Sequence, residues 1–219
     1  MSTISLTFDN GPEPGVTDVV LDTLASRGIG ATFFVIGSKL EAGESLRCAR
    51  RAAEEGHRVG NHSYHHREPL GLLDAEASRA EIARTQALLD GFVAERLFRP
   101  PGGDGQYGTL GDQLLSPAAR DFLIAERFTV VLWNVVPRDW EQPQAWVDTA
   151  LDSCRQLEHA VVVVHDLPTG AMEQLPSFLD RALDEGARFS NDFPASCVVL
   201  EHGVPRDNLD AYVSASPVA

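Results

Sequence analysis

The chain has 219 residues, 43% hydrophobic and 23% charged, which is enough apolar material for one buried core and predicts a single domain over residues 1–219. Its 18 Lys and Arg against 32 Asp and Glu leave a formal net charge of -14, which argues against a phosphate-tracking surface, so neither nucleic acid nor anionic membrane is an expected partner. There is no run of roughly 18 apolar residues and no basic, apolar leader, so the chain as written is expected to be cytoplasmic, or exported if an N-terminal segment has been removed.

Ile4 to Phe8 predict a strand, and TDVVLDTLASR, Thr17 to Arg27, has helical periodicity ending before Gly28. Ala31 to Gly37 (ATFFVIG) predicts a buried strand, Glu44 to Glu55 a helix closed by Gly56, and Arg58 to Asn61 a short strand entering a histidine-rich turn. Asp74 to Leu89 is the cleanest amphipathic helix. A minimal strand over Arg96 to Phe98 precedes the turn RPPGG, and a helix follows around Pro117 to Glu126, with proline in its first turn.

Phe128 to Val135 predicts a strand, Gln144 to Leu157 a helix, Ala160 to Val164 a strand, Met172 to Glu185 a helix, and Cys197 to Leu200 a last strand before a tail expected to fray. Apolar strands separated by helices, in roughly seven units, predict a parallel sheet with helices outside it. Cys48, Cys154 and Cys197 are too scattered for a zinc knuckle or disulfide framework and read as buried thiols.

The unusual polar residues fall at the ends of these strands: Asp9 and Asn10 after the first, His62 and His66 after the third, Arg99 after the fourth, Asp139 and Trp140 after the fifth, His165 and Asp166 after the sixth. In a parallel barrel or open parallel sheet such ends share one rim, which predicts a single site. In GNHSYHH, His62 and His66 are four apart and suit a first-row divalent ion, with an oxygen from Asn10 or Asp9 as third ligand, while His65 points elsewhere. His165 reads either as a core histidine or as a general acid oriented by Asp139, and Arg99 either as a rim arginine or as the partner keeping Asp9 ionised. Trp133, Trp140 and Tyr107 offer flat surface for a sugar ring or belong to the core.

Taken together, TFDNGP, the His62 and His66 pair, RPPGG, WNVVPRDW and VVVVHD resemble the polysaccharide deacetylase family, the family 4 carbohydrate esterases, over nearly the whole chain. The resemblance implies a distorted (β/α)7 barrel. It implies Asp9 as base, Asn10, His62 and His66 as ligands of a divalent metal (zinc first, or cobalt, manganese or nickel), Arg99 with Pro101 and Gly102 in the third motif, Asp139 tuning His165 as catalytic acid, and Trp140 walling the pocket. Asn10 stands where the family carries aspartate, Val136 where many members carry aspartate, and Gly102 where many carry tyrosine, its backbone N–H remaining as an oxyanion donor. The first and fourth motifs also resemble the muramic acid deacetylases.

The expected activity is therefore metal-dependent hydrolysis of an N-acetyl group from an amino sugar or oligosaccharide, releasing acetate. Two alternatives are a hydrolase of a small non-peptide amide or imide on the same fold, and a catalytically impaired carbohydrate-binding or structural protein. The expected partner is an N-acetylated sugar or small amide, and homo-oligomerisation is left open.

Overall fold

The computed structural model describes residues 2–102 and 111–215. Tyr107 and the second glycine of RPPGG, Gly103, lie outside the described residues, as do 216–219 of the tail. In chain order the elements are β1 (Thr3–Asp9), α1 (Val16–Ala25), β2 (Thr32–Val35), α2 (Gly43–Glu54), β3 (Arg58–Asn61), α3 (Ala75–Leu89), β4 (Leu97–Phe98) and α4 (Pro117–Ala125). They continue with β5 (Thr129–Val131), α5 (Trp146–Arg155), β6 (His159–His165), α6 (Leu175–Asp184), β7 (Arg188–Phe189), β8 (Val198–Glu201) and β9 (Val204–Pro205).

The strands form one curled sheet in the order β6-β1-β2-β3-β4-β5-β8-β9, with β7 paired to the start of β1. Pairs from β6 through β5 are parallel, and β8 and β9 add antiparallel at the far edge. The sheet is mixed and half open, the distorted barrel that the family resemblance implied. It is drawn towards closure just past β5: Val135 forms an isolated parallel bridge to Val162, and the Asn134 side chain clasps β6 through the His159 carbonyl (3.0 Å) and the Val161 N–H (2.7 Å).

Local chemistry explains most element ends. Asp74 caps α3 by accepting from the Glu76 and Ala77 N–H groups, and Ser116 caps α4 immediately before Pro117. The strand expected over Phe128 to Val135 is regular only over Thr129–Val131, because the chain bends there towards β6 to make the Val135 bridge. The helix expected from Met172 begins as a 3-10 turn over Ala171–Gln174, and Pro176, which lacks an N–H, sits in the first turn of α6. β7 and β9 have two residues each, too few to show the alternation that marks a strand in sequence.

Continuous apolar strands are buried on both faces, as a parallel sheet requires. Val20, Leu21, Leu24, Trp146, Leu151, Phe178 and Leu179 from α1, α5 and α6 pack on Ile4, Leu6, Phe8, Val162 and Val164. A second cluster joins Leu123 and Ala119 of α4 to Phe98, Phe128, Val130, Val199 and Leu200. All three cysteines are buried free thiols, as expected. Among the described residues no helix is long and apolar enough to cross a membrane.

Candidate active site

The parallel register delivers the polar residues to one rim. Asp9 closes β1 and His165 closes β6, and the two are direct partners across the ladder, so their side chains leave the same face side by side. Asn61 pairs with Phe98, which brings the segment after β3, with His62, against the segment after β4, with Arg99. The Arg99 N–H donates to the Asn61 carbonyl (2.9 Å), and the His62 N–H donates to the Val35 carbonyl (2.9 Å).

A cavity of about 350 Å3 opens at this rim, lined by Asp9, Asn10, His62, His66, Gly102, Trp133, Val136, Trp140, Val163, His165 and Leu167. Another of about 390 Å3 lies at the amino ends of the strands, around Ser2 and Cys154, where Arg155 and Glu185 are paired with each other. Eight of the eleven site residues expected from sequence line the rim cavity. Arg99 and Asp139 stand behind Asp9 and His165 and touch them directly, whereas Pro101 is buried and not part of the cavity wall.

Arg99 is fully buried, and its Nη1 donates to Asp9 Oδ1 (2.8 Å) and to Thr7 Oγ1 (2.7 Å), while the ring of Phe34 lies 4.1 Å beneath the guanidinium. A buried ion pair is stable only when its spare hydrogen-bonding groups are met, and here the Val131 and Leu132 carbonyls accept the remaining donors (3.3 Å each). Burial pushes the Asp9 carboxyl up, but the Arg99 charge and hydrogen bond, with His62 and His165, together outweigh it and hold Asp9 below its ordinary value. Thr7 was not among the expected site residues. Its position two before Asp9, on the same face of β1, is the signal that could have found it.

His62 Nδ1 lies 2.8 Å from the Arg99 carbonyl oxygen and donates to it, so the unprotonated Nε2 faces Asp9 Oδ2 at 3.6 Å. Burial pushes this imidazole down to about 3, so it is neutral at neutral pH. His66 lies against it with ring centroids 4.6 Å apart, and burial lowers its pKa as well. His165 is the opposite case. Burial would lower it, but the Asp139 carboxylate, accepting from Nδ1 (2.8 Å) and from the His165 N–H (2.9 Å), raises it and leaves Nε2 for the cavity. Trp140 stacks edge-on against this ring at 4.9 Å.

Several rim residues hold backbone conformations that side chains disfavour: Asn10 (φ 71°), Ser63 (φ 63°), His66 (φ 53°) and Arg138 (φ 59°). Strain of this kind, about 1–3 kcal/mol per residue, gathers at functional sites, and these four residues lie in the segments that follow β1, β3 and β5. Gly102 packs closely on Trp133: a Cβ there would sit 3.2 Å from its Cη2 and Cζ2, so the indole would have to give by a few tenths of an ångström. A tyrosine, which many members of the resembled family carry at this position, would press on that indole.

The expected divalent ion on Asn10, His62 and His66, whether zinc, cobalt, manganese or nickel, is corrected by the donor set. Among the described residues no group of three or more His, Cys, Asp or Glu side chains is arranged to hold a metal ion. Position 10 supplies a neutral amide instead of a carboxylate, and Asp9, the one carboxylate among the lining residues, is committed to Arg99. With the amide at position 10, only two imidazoles of the expected set remain as metal-ligating side chains, one short of the three protein ligands a catalytic zinc site takes. The residues present do not fit that cofactor, and the expected metal-dependent removal of an N-acetyl group is corrected with it. Asn10 Oδ1 is instead a buried acceptor with no partner among the described residues, and Trp133 Nε1 is a buried donor in the same condition.

A family model described as polysaccharide deacetylase matches residues 1–114. The chain is 30% identical over 192 residues to a peptidoglycan-N-acetylglucosamine deacetylase of Bacillus cereus, covering 85% of this chain and 65% of that protein. It is 36% identical over 167 residues to a chitooligosaccharide deacetylase of Sinorhizobium fredii, covering 74% and 71%. The chain thus spans just under two thirds of the Bacillus relative's length. Among solved structures, a family 4 carbohydrate esterase from Streptomyces lividans in complex with acetate superposes with a TM-score of 0.72 at 27% identity, covering 90% of this chain and 96% of that one.

Proposed function

The chain belongs to the polysaccharide deacetylase family, and on that premise we propose that it hydrolyses a small non-peptide amide or imide with its own acid and base groups. The observation that carries this reading is the juxtaposition of Asp9, paired with Arg99, and His165, whose pKa Asp139 raises, on adjacent strands at one cavity. Asp9 and His165 have their pKa values pushed apart, which is the arrangement acid and base catalysis needs.

In this reading the Asp9 carboxylate takes a proton from a water molecule as its oxygen attacks the carbonyl carbon. The backbone N–H at Gly102 meets the oxyanion that forms. As the carbon–nitrogen bond breaks, His165 Nε2 gives its proton to the departing nitrogen, so one water is consumed and the carbonyl becomes an acid while the nitrogen becomes an amine from an amide or a primary amide from an imide, both on one opened chain when the substrate is cyclic. The proton on Asp9 then returns to solvent and His165 is recharged. His62, neutral and fixed by the Arg99 carbonyl, orients the water beside Asp9.

Size and polarity support a small substrate. About 350 Å3 is near the lower end for ligand cavities and suits a single ring. The unpartnered Asn10 acceptor and Trp133 donor match the N–H and C=O of an amide or imide, and Val136, Val163 and Leu167 give the rest of the wall an apolar face.

The test is product formation from a panel of cyclic amides and imides by protein dialysed against EDTA. Ring opening under those conditions is the expected result, and turnover that appears only on adding a divalent metal would overturn the reading. A second reading is favoured by Trp140 at the cavity mouth and by the sugars in the relatives' names: a carbohydrate-binding protein without turnover. Calorimetric binding of N-acetylated sugars with no product would support it instead.

A further inference from the structure

We infer that Glu81, on α3 and outside the cavity, is the positioning residue that sets the geometry of the His62 to His66 loop. His65 lies in the loop's centre but does not line the cavity; its ring turns outward, and Glu81 Oε1 meets His65 Nδ1 at 2.5 Å. Glu81 Oε2 accepts from the N–H of Tyr64 (3.0 Å) and from the N–H of His65 (2.8 Å). One carboxylate therefore takes two consecutive backbone donors and a ring donor from the residues lying between the two cavity histidines.

The loop needs such an anchor because of its backbone. Ser63 and His66, on either side of Tyr64 and His65, both have positive φ, a conformation that persists only when its surroundings over-determine it. The other side-chain fastenings of the loop backbone are neutral: Asn61 Oδ1 accepts from the Ser63 N–H (3.0 Å), Ser63 Oγ accepts from the His66 N–H (3.1 Å), and Asn61 Nδ2 donates to the Ile82 carbonyl (2.9 Å). Glu41, which accepts from the Tyr64 hydroxyl, and Arg84, which lies 3.6 Å from the Tyr64 ring, hold a side chain and not the backbone. Glu81 brings charge to the backbone itself, and charge-assisted bonds to backbone N–H groups are roughly twice as strong as neutral ones. Glu81 and Ile82 are adjacent on α3, so the helix holds the loop at two points.

This role rests on the proposed hydrolysis only for its kinetic readout. In the Glu81→Ala variant, hydrogen exchange of the Tyr64 and His65 amides is expected to accelerate at least tenfold, with β1 and β6 amides unchanged, and the ring 15N resonances of His62 and His66 to shift. Glu81→Gln, whose Oε1 can still accept both backbone donors, is expected to restore amide protection and the ring resonances. If the protein turns over an amide, kcat falls about 10- to 100-fold in the alanine variant with KM little changed, as misplacement of fixed groups predicts, and glutamine recovers most of it.

Unchanged exchange and unchanged ring resonances in Glu81→Ala would overturn the inference whether or not any amide is hydrolysed. Equal acceleration in β1 and β6 would also overturn it, by showing a global effect of Glu81 on stability. Absence of turnover in the parent protein would count against the proposed reaction alone.

Discussion

Asp166, next to His165, is fully buried, and its environment makes a sharp prediction about stability. Thr17 Oγ1 donates to its Oδ2 at 2.5 Å, while Oδ1 has no partner among the described residues. Burial pushes this carboxyl up to about 7; the Thr17 bond and, more weakly, Lys39 and His165 oppose the shift without cancelling it. Displacement from 3.8 to about 7 corresponds to roughly 4 kcal/mol, at about 1.4 kcal/mol per tenfold change in proton affinity. The folded chain keeps a proton that the unfolded chain has lost, so this group's penalty is absent below pH 3.8, grows as pH rises, and is complete above about 7. Asp166→Asn removes the charge and keeps the shape. Above pH 7 it is expected to stabilise the protein by up to roughly 4 kcal/mol, less about 1 kcal/mol for a weaker bond from Thr17. Urea unfolding of both proteins between pH 5 and pH 8 measures this, and the variant's advantage must widen across that range. An advantage that stays constant with pH, or a parent protein that gains on the variant as pH rises, would refute the reasoning.

Arg99→Met leaves Asp9 buried without its partner and is expected to cost about 3–5 kcal/mol in denaturant unfolding; the double variant with Asp9→Asn should recover part of that loss. Asp139→Asn removes the group that raises His165 against burial, so the His165 pKa should fall, read from its ring resonances during a pH titration. Because the folded pKa is raised in the parent, the stability supplied by this pair is present below about 6.5 and lost as pH rises through the folded value, so Asp139→Asn should destabilise most at low pH. Gly11→Ala would place a Cβ 2.2 Å from Asp166 Oδ1, inside any real contact, and should lower the unfolding free energy by about 1–3 kcal/mol. A thermal midpoint equal to the parent's would count against that packing.

The strand-end residues were readable because apolar runs such as ISLTF and AVVVV stop abruptly on acids, amides and histidines, and parallel strands gather their carboxyl ends without further instruction. Asp9, His62, Arg99, Asp139 and His165 were found that way, and so was the alternation that makes the barrel. What these groups are chemically was decided by contacts between residues far apart in the chain. That Asp9 belongs to Arg99 and not to a metal ion, that His65 belongs to Glu81, and that Val135 reaches across to β6 all depend on distances that no local pattern encodes. Sequence by itself determined which side chains would meet at the rim, because strand direction fixes where each run ends. Only the tertiary structure decided which of them are charged and to what they are bound, because burial and neighbouring charges set a group's protonation, and both are properties of the packed molecule.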